Sequence, residues 1–253
     1  MEWILVTLAS VFAGFVDAIV GGGGLILLPA LFSAFPTAQP VILLGTNKSA
    51  SVWGTSFAAW QFKNRVELPW KVILPAAFCG LVGAFLGAWA VTQLAPTYLR
   101  KALPVILLMI LLYTLAKKDL GQHHAPRWSG RREVCMACII GGGIGMYDGF
   151  WGPGTGSFLV FLFVRVLGYD FLRASAGAKM VNVCTNLAAI TLFAMKGYVW
   201  WRLGLLMAAA NIVGSFWGSR MALKHGTGFV RWVFMAVVAC LILKTGYDAF
   251  IVG

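Results

Sequence analysis

Apolar runs follow one another along this chain with few polar interruptions, and the interruptions recur in order. Trp3 to Val20 is apolar and compatible with a helix, and Gly21 to Gly24 should break it. Leu25 to Phe35 is a second apolar piece of about half a membrane span, ended by SAFPTAQP. Val41 to Phe62, Trp70 to Gln93 and Leu103 to Ala116 are longer. A polar stretch from Lys117 to Glu133 then separates this half from a second one. The second half runs Val134 to Phe150, a break at Gly152 to Gly156, Ser157 to Leu167, Ala174 to Met195, Trp201 to Leu223 and Val230 to Val252.

The two halves repeat one another at an offset of 131 residues. GFVDAIVGGGG, Gly14 to Gly24, returns as GMYDGFWGPGT, Gly145 to Thr155, with Asp148 in the place of Asp17. The same offset pairs Lys48 with Lys179, Phe62 with Phe193, Trp70 with Trp201, Gly83 with Gly214, Gly87 with Gly218 and Arg100 with Arg231. Matches among rare residues point to duplication, a mark of transporter folds. The expected fold is an all-α polytopic membrane domain over residues 1–253. Repeat 1 covers 1–116, a cytoplasmic linker 117–133 and repeat 2 134–253, each repeat having about five helical segments with broken or re-entrant helices at the glycine motifs.

Composition agrees with a membrane chain. Hydrophobic residues make up 60% and charged residues 11% of 253, and mean hydropathy is +0.84, where soluble domains are roughly a quarter charged. The net charge of +12 is spread over short inter-helix segments, where Lys and Arg set orientation, so nucleic acid is not an expected partner. With the linker inside the cell, an inverted second half places more basic residues inside (Arg165, Arg173, Arg220, Lys224, Arg231) than outside (Lys196, Arg202). That favours inverted repeats with both termini outside. The first run has no basic leader region and continues into the glycine motif, which reads against a cleaved signal. The five cysteines read as small buried hydrophobes. His123 and His124 lack companion ligands, so no metal or other cofactor is expected.

Chemistry concentrates at the repeated motifs. Asp17 and Asp148 are the only acidic residues well inside apolar runs, and a mid-bilayer charge costs at least ~2.5–3.5 kcal/mol. Either a coupling or a loop-organising role would account for them. Gly21, Gly22, Gly23 and Gly24, with Gly152, Gly154 and Thr155, can turn backbone N–H groups toward one point, and a half-helix starting there adds the positive end of its dipole. Lys48 with Asn47, and Lys179 with Asn182, lie among small polar residues early in the third segment of each half. A cationic pair facing two glycine nests describes an anion pathway, although a lysine near a helix end can also reach for the interface.

GFVDAIVGGGGLILLPAL, the following GTNK, DGFWGPGTGS and ASAGAKMVN together resemble the TauE/SafE family of sulfite exporters and organosulfonate permeases over essentially the whole chain. The resemblance implies secondary transport of small sulfur-containing oxyanions, such as sulfite, sulfoacetate or other sulfonates, across the bacterial inner membrane, with no enzymatic activity. The partners expected are a small anionic substrate and the lipid bilayer, with a proton as candidate coupling ion and a homodimer as candidate assembly. A passive anion channel, and more remotely an intramembrane aspartyl protease using two membrane carboxylates as a dyad, are the alternatives.

Overall fold

A computed structural model describes residues 2–93 and 123–250, and the expected segment Leu103 to Ala116 lies outside them. The described residues form helices and no strand. The first half contains α1 (Glu2–Val20), α2 (Gly24–Ala34), α3 (Pro40–Lys63) and α4 (Trp70–Val91). The second contains α5 (Gly130–Phe150), α6 (Thr155–Leu162), a π-helical turn (Phe163–Leu167), α7 (Phe171–Met195) and α8 (Trp201–Phe250). Backbone angles leave the helical region within α8 at Gly226, where φ is 72°, so the two segments expected there are joined through a break.

Three of these helices, α1, α4 and α7, are long and apolar enough to cross a membrane. The second pieces are not: α2 has 11 residues, and at 1.5 Å per residue it covers about half of a ~30 Å hydrocarbon layer. Trp3, Trp53, Trp60, Trp89, Trp201 and Trp217 turn outward on the bundle surface, as lipid-facing and interfacial tryptophans do.

Local signals fix several helix starts. Pro40 opens α3, where its missing N–H costs nothing. Asp170 caps α7 by accepting the N–H of Arg173 at 2.9 Å. The end of the linker docks beside it, with Ala125 N–H donating to Gly168 O and Arg127 N–H to Leu167 O, both at 2.9 Å. α5 starts at Gly130, within the polar stretch, and so takes in the last residues of what reads as linker. The 131-residue offset recovers three of the four element starts, carrying Gly24 to Thr155, Pro40 to Phe171 and Trp70 to Trp201.

Packing follows the duplication. α1 lies mainly against α8, and α5 mainly against α4, so the first helix of each half packs on the fourth of the other. The glycines let these backbones touch, because a methyl group at Gly83 or Gly87 would overlap Gly142 O or Met146 O. Moved by the offset, these become Gly214 against Val11 O and Gly218 against Phe15 O, and both overlaps occur. Gly145 against Gly80 O and Gly14 against Asn211 O form a third such pair. Contacts thus map onto contacts when the halves are exchanged. This close approach of small residues supplies the helix association that hydrophobicity cannot supply in lipid.

Gly145→Ala should therefore lower stability by about 1–3 kcal/mol through overpacking. Gly143→Ala, at an exposed helical glycine with nothing within 4 Å of the added carbon, should be neutral or raise stability by up to about 1 kcal/mol. Denaturant unfolding in detergent checks both.

Candidate functional site

The four consecutive glycines are not alike. Gly21 alone in the first motif has a left-handed backbone, φ 75°, and it ends α1, whereas Gly23 has helical angles and caps α2. In the second motif Gly152 (φ 91°) and Gly154 (φ 82°) are left-handed on either side of Pro153. The two breaks meet backbone to backbone, with Gly21 against Gly156 so closely that neither admits a side chain.

Carbonyls freed at the end of α1 find partners in the other half. Ser175 Oγ donates to Ile19 O at 2.6 Å and Ser157 Oγ to Gly21 O at 2.8 Å. In the second break, Thr155 Oγ1 donates to Gly152 O at 2.8 Å and the Tyr147 hydroxyl to Pro153 O at 2.5 Å. Irregular backbone is tolerated at membrane depth only when satisfied in this way or when it lines a cavity. Here both conditions hold.

The cavity at the breaks is lined by Asp17, Gly21 to Gly24, Asn47, Lys48, Ser51, Thr55, Asp148, Gly152, Thr155, Gly156, Asn182 and Asn186, and its free volume is about 20 Å³. Of the residues singled out from sequence, all but Gly154 and Lys179 lie in this lining. Gly154 caps α6 and packs against Leu25 and Phe158. Lys179 donates to Ser175 Oγ at 3.0 Å and sits 5.2 Å from the centre of the Phe62 ring.

Ser51, Thr55, Gly156 and Asn186 join the lining without having been singled out as site residues. A signal for three of them existed. Ser51 and Thr55 follow Lys48 by three and seven residues, Asn182 and Asn186 follow Lys179 by the same steps, and those steps keep one helix face.

Charge in the site is arranged across the halves. Lys48 of α3 pairs with Asp148 of α5 at 2.6 Å and donates to Asn186 Oδ1 at 2.9 Å, and lysine and aspartate are both nearly inaccessible. The offset turns this pair into Lys179 and Asp17, and that pair is open. Among the described residues no carboxylate lies in ion-pair range of Lys179. Asp17 instead accepts the Thr55 hydroxyl at 3.0 Å and the Gly23 N–H at 3.3 Å. Two oxygens in the lining, Asp148 Oδ2 and Asn47 Oδ1, are buried without a hydrogen-bond donor, and Trp151 Nε1, beside the second break, is buried without an acceptor. With its ionisable groups charged, the lining sums to −1, from two carboxylates and one ammonium. A further anion about 4 Å from an uncompensated carboxylate costs about 4 kcal/mol at an effective dielectric constant of 20.

Broken helices packed across a duplication, with a polar, charge-bearing cavity at the breaks, are the construction of a membrane transporter. The chain belongs to the sulfite exporter TauE/SafE family, whose model it matches over residues 6–245. It is 34% identical over 236 residues to a probable membrane transporter protein, ORF9, of Sinorhizobium sp, covering 93% of this chain and 89% of the relative. It is also 34% identical over 243 residues to the probable membrane transporter protein YfcA of Escherichia coli K12, covering 95% and 88%. A probable membrane transporter protein of Haemophilus influenzae is 32% identical over 236 residues, with 93% and 91% covered. No solved structure matches the chain.

Removing Lys48 leaves Asp148 buried and uncompensated. Lys48→Ala should therefore cost about 3–5 kcal/mol, and Lys48→Met with Asp148→Asn should recover much of that loss. A double-mutant cycle read by unfolding should give a coupling of about 1–3 kcal/mol for Lys48 with Asp148 and a clearly smaller one for Lys179 with Asp17.

Proposed function

We propose that the protein is a secondary carrier of small sulfur-containing oxyanions, sulfite or organosulfonates, working by alternating access between two inverted halves in the bacterial inner membrane. The family and its probable transporters set the class. The observation that carries the finer reading is the inequality of two equivalent charge pairs: Lys48–Asp148 is closed while Lys179–Asp17 is open. The close glycine contacts of α1 with α8 and of α4 with α5 obey the exchange of halves, so we take the unequal pairs to mark one of two related conformations. In the other, Lys179 meets Asp17 and Lys48 is released.

The substrate chemistry follows from the donors. Lys48 and Lys179 supply ammonium groups and Asn47 and Asn182 supply amides. The N–H groups of Gly21, Gly23, Gly152 and Thr155 donate within the breaks in this conformation and become donors to an anion only when the halves move, while Gly22, Gly24 and Gly154 complete the glycine set at the starts of α2 and α6. Compact oxyanions with three acceptor oxygens suit such a set. Asp17 and Asp148 exchange a proton or hold the breaks in place.

A cavity of about 20 Å³ has room for about one water molecule, which is less than a sulfite needs. Binding therefore requires the halves to move, and this favours a carrier over an open channel.

Purified protein in liposomes should take up labelled sulfite or sulfoacetate with saturation and exchange it for the same anion inside. Lys48→Ala and Lys179→Ala should each lower the rate at least about tenfold, the first by removing the pair seen here and the second by removing the pair proposed for the other conformation. Wild-type rates in both variants would remove the lysines from the mechanism, and flux that never saturates would make the protein a channel.

A further inference from the structure

The charge balance of the cavity says more than the class of cargo. Its two carboxylates differ: both Asp17 oxygens accept hydrogen bonds, from Gly23 N–H and the Thr55 hydroxyl, whereas Asp148 Oδ2 is buried with no donor. Lys48, the one ammonium in the lining, is committed to Asp148 and Asn186. An anion reaching the cavity as it stands meets a lysine that is already neutralised and a net charge that repels it.

Building on the anion-carrier reading, we propose that Asp148 Oδ2 takes up a proton when the anion binds. Lys48 then passes from the aspartate to the anion, and one proton accompanies each anion. The proton comes from solvent through a cavity that fits a water molecule. It forms an O–H bond at Oδ2, Asp148 goes from −1 to neutral, and Lys48 keeps its charge and its three donors.

Among the described residues, the surroundings of Asp148 leave no other group for this work. Lys48 comes from α3, and Asp17 from α1 has its oxygens occupied at the first break. Lys179 of α7 is turned to Ser175 and Phe62. The Tyr147 hydroxyl donates to Pro153 O. The α4 helix carries only Lys71, at its exposed start, and α6 has no charged residue, with Arg165 following in the π-helical turn. Asp17 holds the first break through Gly23 and α3 through Thr55, so in this conformation it organises the loop while its counterpart couples. Exchange of the halves reverses the two roles.

Calorimetric titration of the purified full-length protein with ethanesulfonate, in buffers of differing protonation enthalpy, counts the protons. This probe is the anion of a strong acid and does not itself titrate near neutral pH. Wild type should take up about one proton per anion, with affinity weakening about tenfold per pH unit as pH rises. Asp148→Asn should bind with a proton count near zero and little dependence on pH. The proposal is overturned if wild type binds ethanesulfonate without proton uptake, if sodium is required instead, or if the uptake survives in Asp148→Asn. The wild-type count decides the matter even where the variant fails to fold. Binding without protons leaves the carrier reading intact, whereas failure to bind sulfite and every sulfonate removes both.

Discussion

An ion pair held across two halves of a membrane domain, Lys48 on one and Asp148 on the other, is the interaction on which the rest of this structure turns. Two charges removed from water are costly, and in a low-dielectric interior only close geometry and further hydrogen bonds offset that cost. Asn186 gives Lys48 such a bond, while the second oxygen of Asp148 goes without. The pair is therefore both a clasp between the halves and an incomplete one. On the proposal above, it is this second oxygen that takes up the proton and so opens the clasp.

Duplication makes a partly satisfied pair useful. The fold holds a second lysine and aspartate in equivalent positions, with Lys179 resting on Ser175 and Phe62 and Asp17 resting on Thr55 and Gly23. Backbone contacts at the glycines repeat when the halves are exchanged, but the charge contacts do not. The packing of α1 on α8 and of α5 on α4 thus obeys the exchange, and the ionic contacts at the breaks do not. In a carrier, such a difference is what distinguishes one facing state from the other.

Much of this could be read from the sequence because duplication supplies an internal comparison. The offset that pairs Trp70 with Trp201 also carries three of the four helix starts, and Asp17, Asp148 and Lys48 stood out as charges in apolar runs that lie in the cavity lining. The pairing itself was not legible. Lys48 and Lys179 have similar local sequences, and on the carrier reading proposed above which one holds a carboxylate is a property of conformation. Lys179 therefore lies outside the lining despite its matching position. Ser51 and Thr55 were hidden for a different reason, since small hydroxyl residues in membrane helices usually serve packing. Their part is visible only from their spacing to Lys48. The docking of Ala125 and Arg127 against the turn at Leu167 and Gly168 had no periodic signal at all, because it uses backbone groups alone.

The claim that the breaks form one site reached alternately from the two faces has a direct measurement. Ser51 lies in the cavity lining, and the five native cysteines can be replaced to leave Ser51→Cys as the sole thiol. Membrane-impermeant thiol reagents applied from either face should modify it, and a bound sulfonate should slow both reactions. Modification from one face alone, unaffected by the anion, would contradict the account.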